Sequence, residues 1–163
     1  MWGDSFLSQA RSDWKAYNEI QKTSLDDCHK LYYLRATTEK LGKAALLRSG
    51  SHTIGDVSRN HKIFVRFLQI STRNPKLARL LNVNNHQLKF YIQNMLPLAQ
   101  RIENLVPQGN NNPNAEYPWQ NPAGEFFTPS TYKFSEINDL ARPDGRNLLR
   151  LVRLILECFE TVY

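Results

Sequence analysis

Between residues 24 and 50, Leu31, Leu34, Thr38, Leu41 and Ala45 recur at three- and four-residue steps, the spacing that keeps side chains on one face of an α-helix. On another face Arg35, Glu39 and Lys43 follow at four-residue steps, which suits a salt-bridge ladder. Ser24 and Asp27 have capping-box spacing, no proline interrupts the run, and Gly50 suits the left-handed residue after a helix end. A long helix is predicted over residues 25–49, one side packed and another able to pair or bind. Gly42 in its interior costs about 1 kcal/mol relative to alanine, which predicts close approach of a neighbouring helix.

The same periodicity organises the remaining chain. Residues 1–9 read as a weakly ordered lead-in, and Ser12 as the cap of a helix to about residue 22 with Trp14 and Tyr17 as core contacts. The short join at Thr23 and Ser24 predicts that the first two helices lie antiparallel. Residues 51–60 read as a polar loop. A helix then starts near residues 58–61 and runs to 71, its apolar set Ile63, Phe64, Phe67, Leu68 and Ile70, its basic stripe Arg59, Lys62 and Arg66.

Pro75 opens a short helical piece ending at Asn82, and a long helix over 85–105 carries Leu88, Ile92, Met95, Leu96, Ala99, Ile102 and Leu105. Pro97 within it predicts a kink or local break. Periodicity is lost over 107–133, a stretch rich in proline, asparagine and glycine. Its Tyr117, Trp119, Phe126, Phe127 and Tyr132 predict a loop packed back on the bundle, with mainly 108–115 mobile. A helical turn over 135–140, a turn at Pro143-Asp144-Gly145 and a last helix from Arg146 to about Val162 complete the chain. That helix is expected to bury Leu148, Leu149, Leu151, Val152, Ile155, Leu156, Phe159 and Val162 and carries a second basic stripe, Arg146, Arg150 and Arg153. No segment reads as a dependable strand. The fold class is all-α: one domain over 1–163, a compact up-and-down bundle of four to five main helices with a long aromatic-containing loop before the last.

The 163 residues, 41% of them apolar, suffice for one core without disulfide staples. Cys28 and Cys158 fall within helical patterns, where reduced, buried packing is the expectation. No apolar run approaches the roughly 20 residues of a membrane span, and the first residues lack a signal-peptide core, so a cytoplasmic protein is expected. The net charge of +6 is unevenly placed. No acidic residue lies between Asp56 and Glu103, whereas Arg59, Lys62, Arg66, Arg73, Lys76, Arg79, Lys89 and Arg101 all do. Such a segment is either a solvated basic face or an electrostatic footprint for phosphates. Histidines, cysteines and acids show no metal-ligand spacing and no glycine loop cradles phosphate, so neither metal nor cofactor is expected.

The string from His29 through Arg35, Ala36, Glu39, Lys40 and Lys43 to Ala44, followed after a glycine loop by Asn60-His61-Lys62-Ile63, resembles the HEPN domain. That family carries an A-x-E-K-x-x-K-A helix before a His-led helix; here the alanine is shifted by one position, with Thr37 in its usual place. Tyr117-Pro118 before the closing helix is similar to the branch found beside small nucleotidyltransferases. The resemblance spans about residues 12–162. It implies a helical bundle, frequently a homodimer, associated with RNA processing, toxin–antitoxin modules, phage defence or nucleotidyltransferase partners.

Catalytic HEPN members cleave RNA without metal, through an arginine and a later histidine with four to six residues between them. Arg79 and His86 meet that spacing, but Leu80 stands where a polar residue is expected and Asn82, Asn84 and Asn85 suggest a helix break between them. Arg48 and His52 are too close and straddle Gly50; His29 and His61 read as surface and helix-start residues. Three functions compete. The first is a non-catalytic module holding RNA or a nucleotide-associated partner through Arg59, Lys62 and Arg66, and through Arg146, Arg150 and Arg153. The second is a metal-independent endoribonuclease with His86 or His61 as base and Arg79 as phosphate stabiliser. The third is a structural adaptor that docks a protein partner through residues 117–127.

Overall fold

In the computed structural model, which describes residues 1–106 and 112–163, the chain is all-α apart from one two-stranded ribbon. Helix α1 (Trp2–Ile20) and α2 (Asp27–Arg48) form the most extensive helix pair. Gly3 lies against Ala44 and Leu47, Phe6 against Lys43, and Asp13 pairs with Lys40, an order that makes the helices antiparallel. Residues 2–9 are therefore helix rather than lead-in. Leu7 and Ala10 extend the buried stripe of Asp13 and Tyr17 by another two turns, and docking on α2 orders residues whose own pattern is weak. Trp14 stacks on Tyr17 with centroids 5.2 Å apart.

The Ser24 capping box does not form. Helix α2 starts at Asp27 with Asp26 as its cap, and no side chain bonds the first amides. Its far end is as predicted: Gly50 has φ +68°. Gly42 also meets its expectation, because a Cβ there would lie 3.1 Å from Ile63 Cγ2. The close neighbour is the connection ahead of the fourth helix rather than a helix body.

Within the predicted loop lies a short helix, α3 (Ile54–Ser58), set by a capping box in which both Thr53 N–H and Thr53 Oγ1–H donate to Asp56 Oδ2. Those bonds, with His52 and Arg66 nearby, hold the Asp56 carboxyl below its ordinary range. Helix α4 (Phe64–Ser71) begins later than its apolar pattern suggests and leaves Ile70 exposed. Asn74 caps α5 (Pro75–Leu80), with the proline in the first turn. The chain reverses at Asn82, φ +55°, and an Asn84–Gln87 capping box starts α6 (Asn85–Glu103). This helix runs on through Pro97 without a break, the ring exposed to solvent.

The ribbon pairs β1 (Trp119–Gln120) with β2 (Phe126–Phe127), turning at Gly124, φ +87°. It corrects the reading of residues 107–133 as strandless. Trp119, Phe127, Tyr132 and Phe134 form one aromatic cluster, but Tyr117 and Phe126 are exposed. Of the stretch predicted mobile, residues 108–111 lie outside the described residues, while Asn114 and Ala115 are buried.

Helix α7 (Ser135–Leu140) matches expectation. The proline-glycine turn instead opens α8 (Pro143–Glu157), with Pro143 at its first position, where a missing N–H costs nothing. Gly145 is forced by α7, since a Cβ would fall within 2.2 Å of Asp139 O. The last helix is interrupted at Cys158 before α9 (Phe159–Val162). Both cysteines are free; Cys28 is buried and Cys158 only half-buried.

Helices α2 and α6 form the centre, α2 packing on α1, α4 and α6, and α6 on α4, α7 and α8. Leu31, Leu34, Leu41, Phe64, Phe67, Leu88, Ile92 and Leu148 fill the space between. Among the described residues no helix is long and apolar enough to cross a membrane.

Candidate functional site

The Arg35–Glu39–Lys43 ladder forms, but it is buried. Arg35 Nη1 lies 2.9 Å from Glu39 Oε2, and Lys43 Nζ lies 2.8 Å from Glu39 Oε1. Arg35 Nη2 crosses to Glu116 Oε1 at 2.7 Å, tying the segment before β1 to α2. Lys43 also donates to Ser58 O and sits 5.5 Å from the Phe6 ring centre. Burial pushes the Glu39 carboxyl up, but the bond and charge of Lys43, then Arg35 and His61, pull it down further, so it stays below its ordinary range. The face expected to pair or bind does the first. Helix α1, α3 and the 112–118 segment cover it.

One member reaches the surface. His61, in the connection between α3 and α4, places Nδ1 3.1 Å from Glu39 Oε1 while its side chain is 61% exposed. An ionised carboxylate only accepts, so Nδ1 carries the hydrogen, and in the neutral ring the lone pair is then on Nε2. Among the described residues Nε2 has no partner. Ile63, seated on Gly42 two residues later, holds this connection against α2.

Arg59, Lys62 and Arg66 flank His61. They are not one helical stripe: Arg59 ends α3, Lys62 lies in the connection, and only Arg66 is in α4. All three are exposed, and among the described residues none has a carboxylate within 4.0 Å. Arg73, Lys76, Arg79 and Lys89 are exposed and unpaired in the same sense, whereas Arg101 pairs with Asp139. Lys62 and Arg101 also line a cleft of about 360 Å³ with Asn104 and Glu136.

On α8, Arg146 donates to Ala141 O, Arg150 is exposed and Arg153 stands 3.8 Å from Glu157. The second stripe is thus partly spoken for. Arg79 and His86 are not assembled into a pair: they sit on α5 and α6, with the Asn82 reversal between them. His86 instead lines a groove with Arg73 and Lys89. Arg48 faces Asp4, His52 bonds Ser51 Oγ, and His29 is exposed on α2. No group of three His, Cys, Asp or Glu side chains is placed to hold a metal among the described residues.

Two acids escaped the sequence reading. Glu116 lies in an aperiodic segment, where nothing signals its partner. Glu103 had a signal, since it follows Ala99 by four on the buried stripe of α6. Its Oε1 accepts from Val65 N–H at 3.0 Å, so a residue of α6 caps α4, which has no cap of its own. Burial pushes the Glu103 carboxyl up, and the bonds from Val65 and Phe64 and the charge of Lys62 only partly offset this. Compared with protein-family models, curated proteins and solved structures, the chain matches none.

Proposed function

We propose that this chain is a HEPN-like helical module that binds RNA, or a nucleotide-bearing partner, through the phosphate backbone, in a toxin–antitoxin, defence or other RNA-related system. Arg59, Lys62 and Arg66 make the contact. The observation that carries the reading is that these three cations cluster around one connection, exposed and without a carboxylate partner. Exposed charge with no carboxylate in contact attracts phosphates and releases their counterions. No base-reading motif accompanies it, so binding has little sequence preference.

The test is fluorescence anisotropy of a labelled single-stranded RNA across a salt series. Changing Arg59, Lys62 and Arg66 together to alanine should reduce the steepness of log K against log salt by about 2, at roughly 0.7 per phosphate contact. An unchanged slope removes this face from the interface.

A metal-independent endoribonuclease is the second reading, favoured by the Glu39–His61 pair. An imidazole held through Nδ1 by a carboxylate presents Nε2 as a general base for a ribose 2′-hydroxyl, with Lys62 and Arg59 beside it for the phosphate. Arg79, on α5, is not part of this arrangement. Labelled RNA incubated with the protein in chelator tests it: cleavage abolished by His61→Gln supports the reading, and intact RNA eliminates it.

A further inference from the structure

A second cationic site shares no residue with Arg59, Lys62 and Arg66. The end of α4, the turn into α5, the start of α6 and the end of α9 enclose a groove of about 900 Å³. Arg73, His86 and Lys89 line it, no Asp or Glu side chain does, and none of the three has an ion-pair partner among the described residues. Arg73 and Lys89 therefore carry charge with no carboxylate side chain within 4.0 Å in a recess, where low-dielectric walls concentrate the field, and the His86 ring adds polar nitrogens beside them. The Asn84–Gln87 box occupies the Asn84 and Gln87 amides at the start of α6, and the groove's full charges are those of the Arg73 and Lys89 side chains.

The opposite wall differs. Ser71 Oγ and Tyr163 Oη lie 2.7 Å apart, with Asn74 beside them. Burial pushes the Tyr163 hydroxyl up to about 12, so it stays protonated. Two hydroxyls carry two hydrogens and use at most one between them, which leaves a donor for a guest. Ile70, an apolar side chain left 44% exposed, adds a non-polar surface.

We propose that this groove binds a phosphate monoester with an organic body of nucleotide size, the phosphate among Arg73, His86 and Lys89 and the body against Ile70 and the Ser71–Tyr163 pair. Inorganic phosphate alone would leave most of the volume empty, and an uncharged nucleoside would leave the cations unanswered. The volume is at the upper end of the range for small-molecule pockets, about 300–1,000 Å³. Both a free nucleotide and the phosphorylated end of an RNA have this chemistry. The site shares no residue with the RNA face proposed above and stands whether or not that face is correct.

Isothermal titration of the full chain with each of the four ribonucleoside 5′-monophosphates tests the proposal, with adenosine and inorganic phosphate as the two halves. At least one monophosphate should bind about tenfold or more tightly than either half, and R73A/K89A should weaken it by about tenfold or more. The R59A/K62A/R66A protein should stay within about twofold of the parent, which separates this site from the RNA face. In the unaltered protein the His86 ring resonance should move on saturation while that of His29 stays. A hexanucleotide carrying a 5′-phosphate displaces the monophosphate if RNA ends are the source, and fails to displace it if free nucleotides are. No binding by any of the four, binding indifferent to R73A/K89A, or a stationary His86 resonance overturns the proposal.

Discussion

Two groups of cations, less than one helix length apart in sequence, meet opposite fates. Arg35 and Lys43 are buried on α2, each against Glu39, and Arg35 against Glu116 as well. Arg59, Lys62 and Arg66 stand in water with no carboxylate within 4.0 Å among the described residues. The side chains are of the same kinds; the acids within reach differ. A buried charge demands a partner because desolvation is costly, whereas an exposed charge needs none and stays available to a ligand. Glu39 belongs to both groups, since its Oε1 also holds His61 at the surface. The inner ladder thus shapes the connection on which the outer cations ride.

The largest effect should come from breaking the inner group. Glu39→Ala leaves Arg35 and Lys43 buried without their shared counter-charge and should cost about 3–5 kcal/mol in urea unfolding. A loss below about 1 kcal/mol would mean that both cations reach water and that the contrast is false. Replacing all three by apolar residues, R35M/E39L/K43M, should recover much of that loss, because the one carboxylate left without its cation, Glu116, is partly exposed to water.

Next in size is the seat between the two groups. Gly42→Val drives a branched side chain into Ile63, already 3.1 Å from where a Cβ would stand, and should cost about 2–3 kcal/mol. Its His61 resonances should also shift, because Ile63 holds that connection. Unmoved His61 resonances would uncouple the seat from the surface.

A smaller effect separates the two buried acids by sign. Glu39 is held below the ordinary 4.5 in the fold, so its contribution is complete above the unfolded value and is lost as pH falls through the folded one. Glu103 is raised above 4.5, so its contribution is present below the unfolded value and is lost as pH rises through the folded one. Glu103→Gln keeps an acceptor for Val65 N–H and removes that loss. Urea midpoints should show it at least as stable as the parent at pH 7, with less decline between pH 4.5 and 7. A variant weaker than the parent by more than about 1 kcal/mol at pH 7 would show that α4 needs the charge itself as its cap.

The smallest effect should come from the outer group. Arg59→Ala, Lys62→Ala and Arg66→Ala should each leave stability within about 0.5 kcal/mol of the parent while lowering RNA affinity. Stability losses as large as that of Glu39→Ala would place these cations in the fold rather than on its surface.

Much of this architecture is local enough to be legible in the chain. Three- and four-residue periodicity locates α2, α6 and α8, Gly42 announces a close neighbour, and the acid-free run marks where positive charge must gather. Helix ends were less legible, because the Ser24 box and the proline-glycine turn are motifs that packing can override: α2 starts at Asp27 and α8 at Pro143. Order in residues 2–10 and the capping of α4 by Glu103 depend on contacts with distant parts of the chain.

Sequence by itself determined that Arg35, Glu39 and Lys43 share one helical face and that Arg59, Lys62 and Arg66 open the acid-free run that follows Asp56, because spacing along a backbone is a local property. Only the tertiary structure decided which set would lose its water. Burial and ion pairing depend on what the other helices bring within a few ångströms, and Glu116, Ser58 and Phe6 are brought to α2 by the fold, not by their place in the chain.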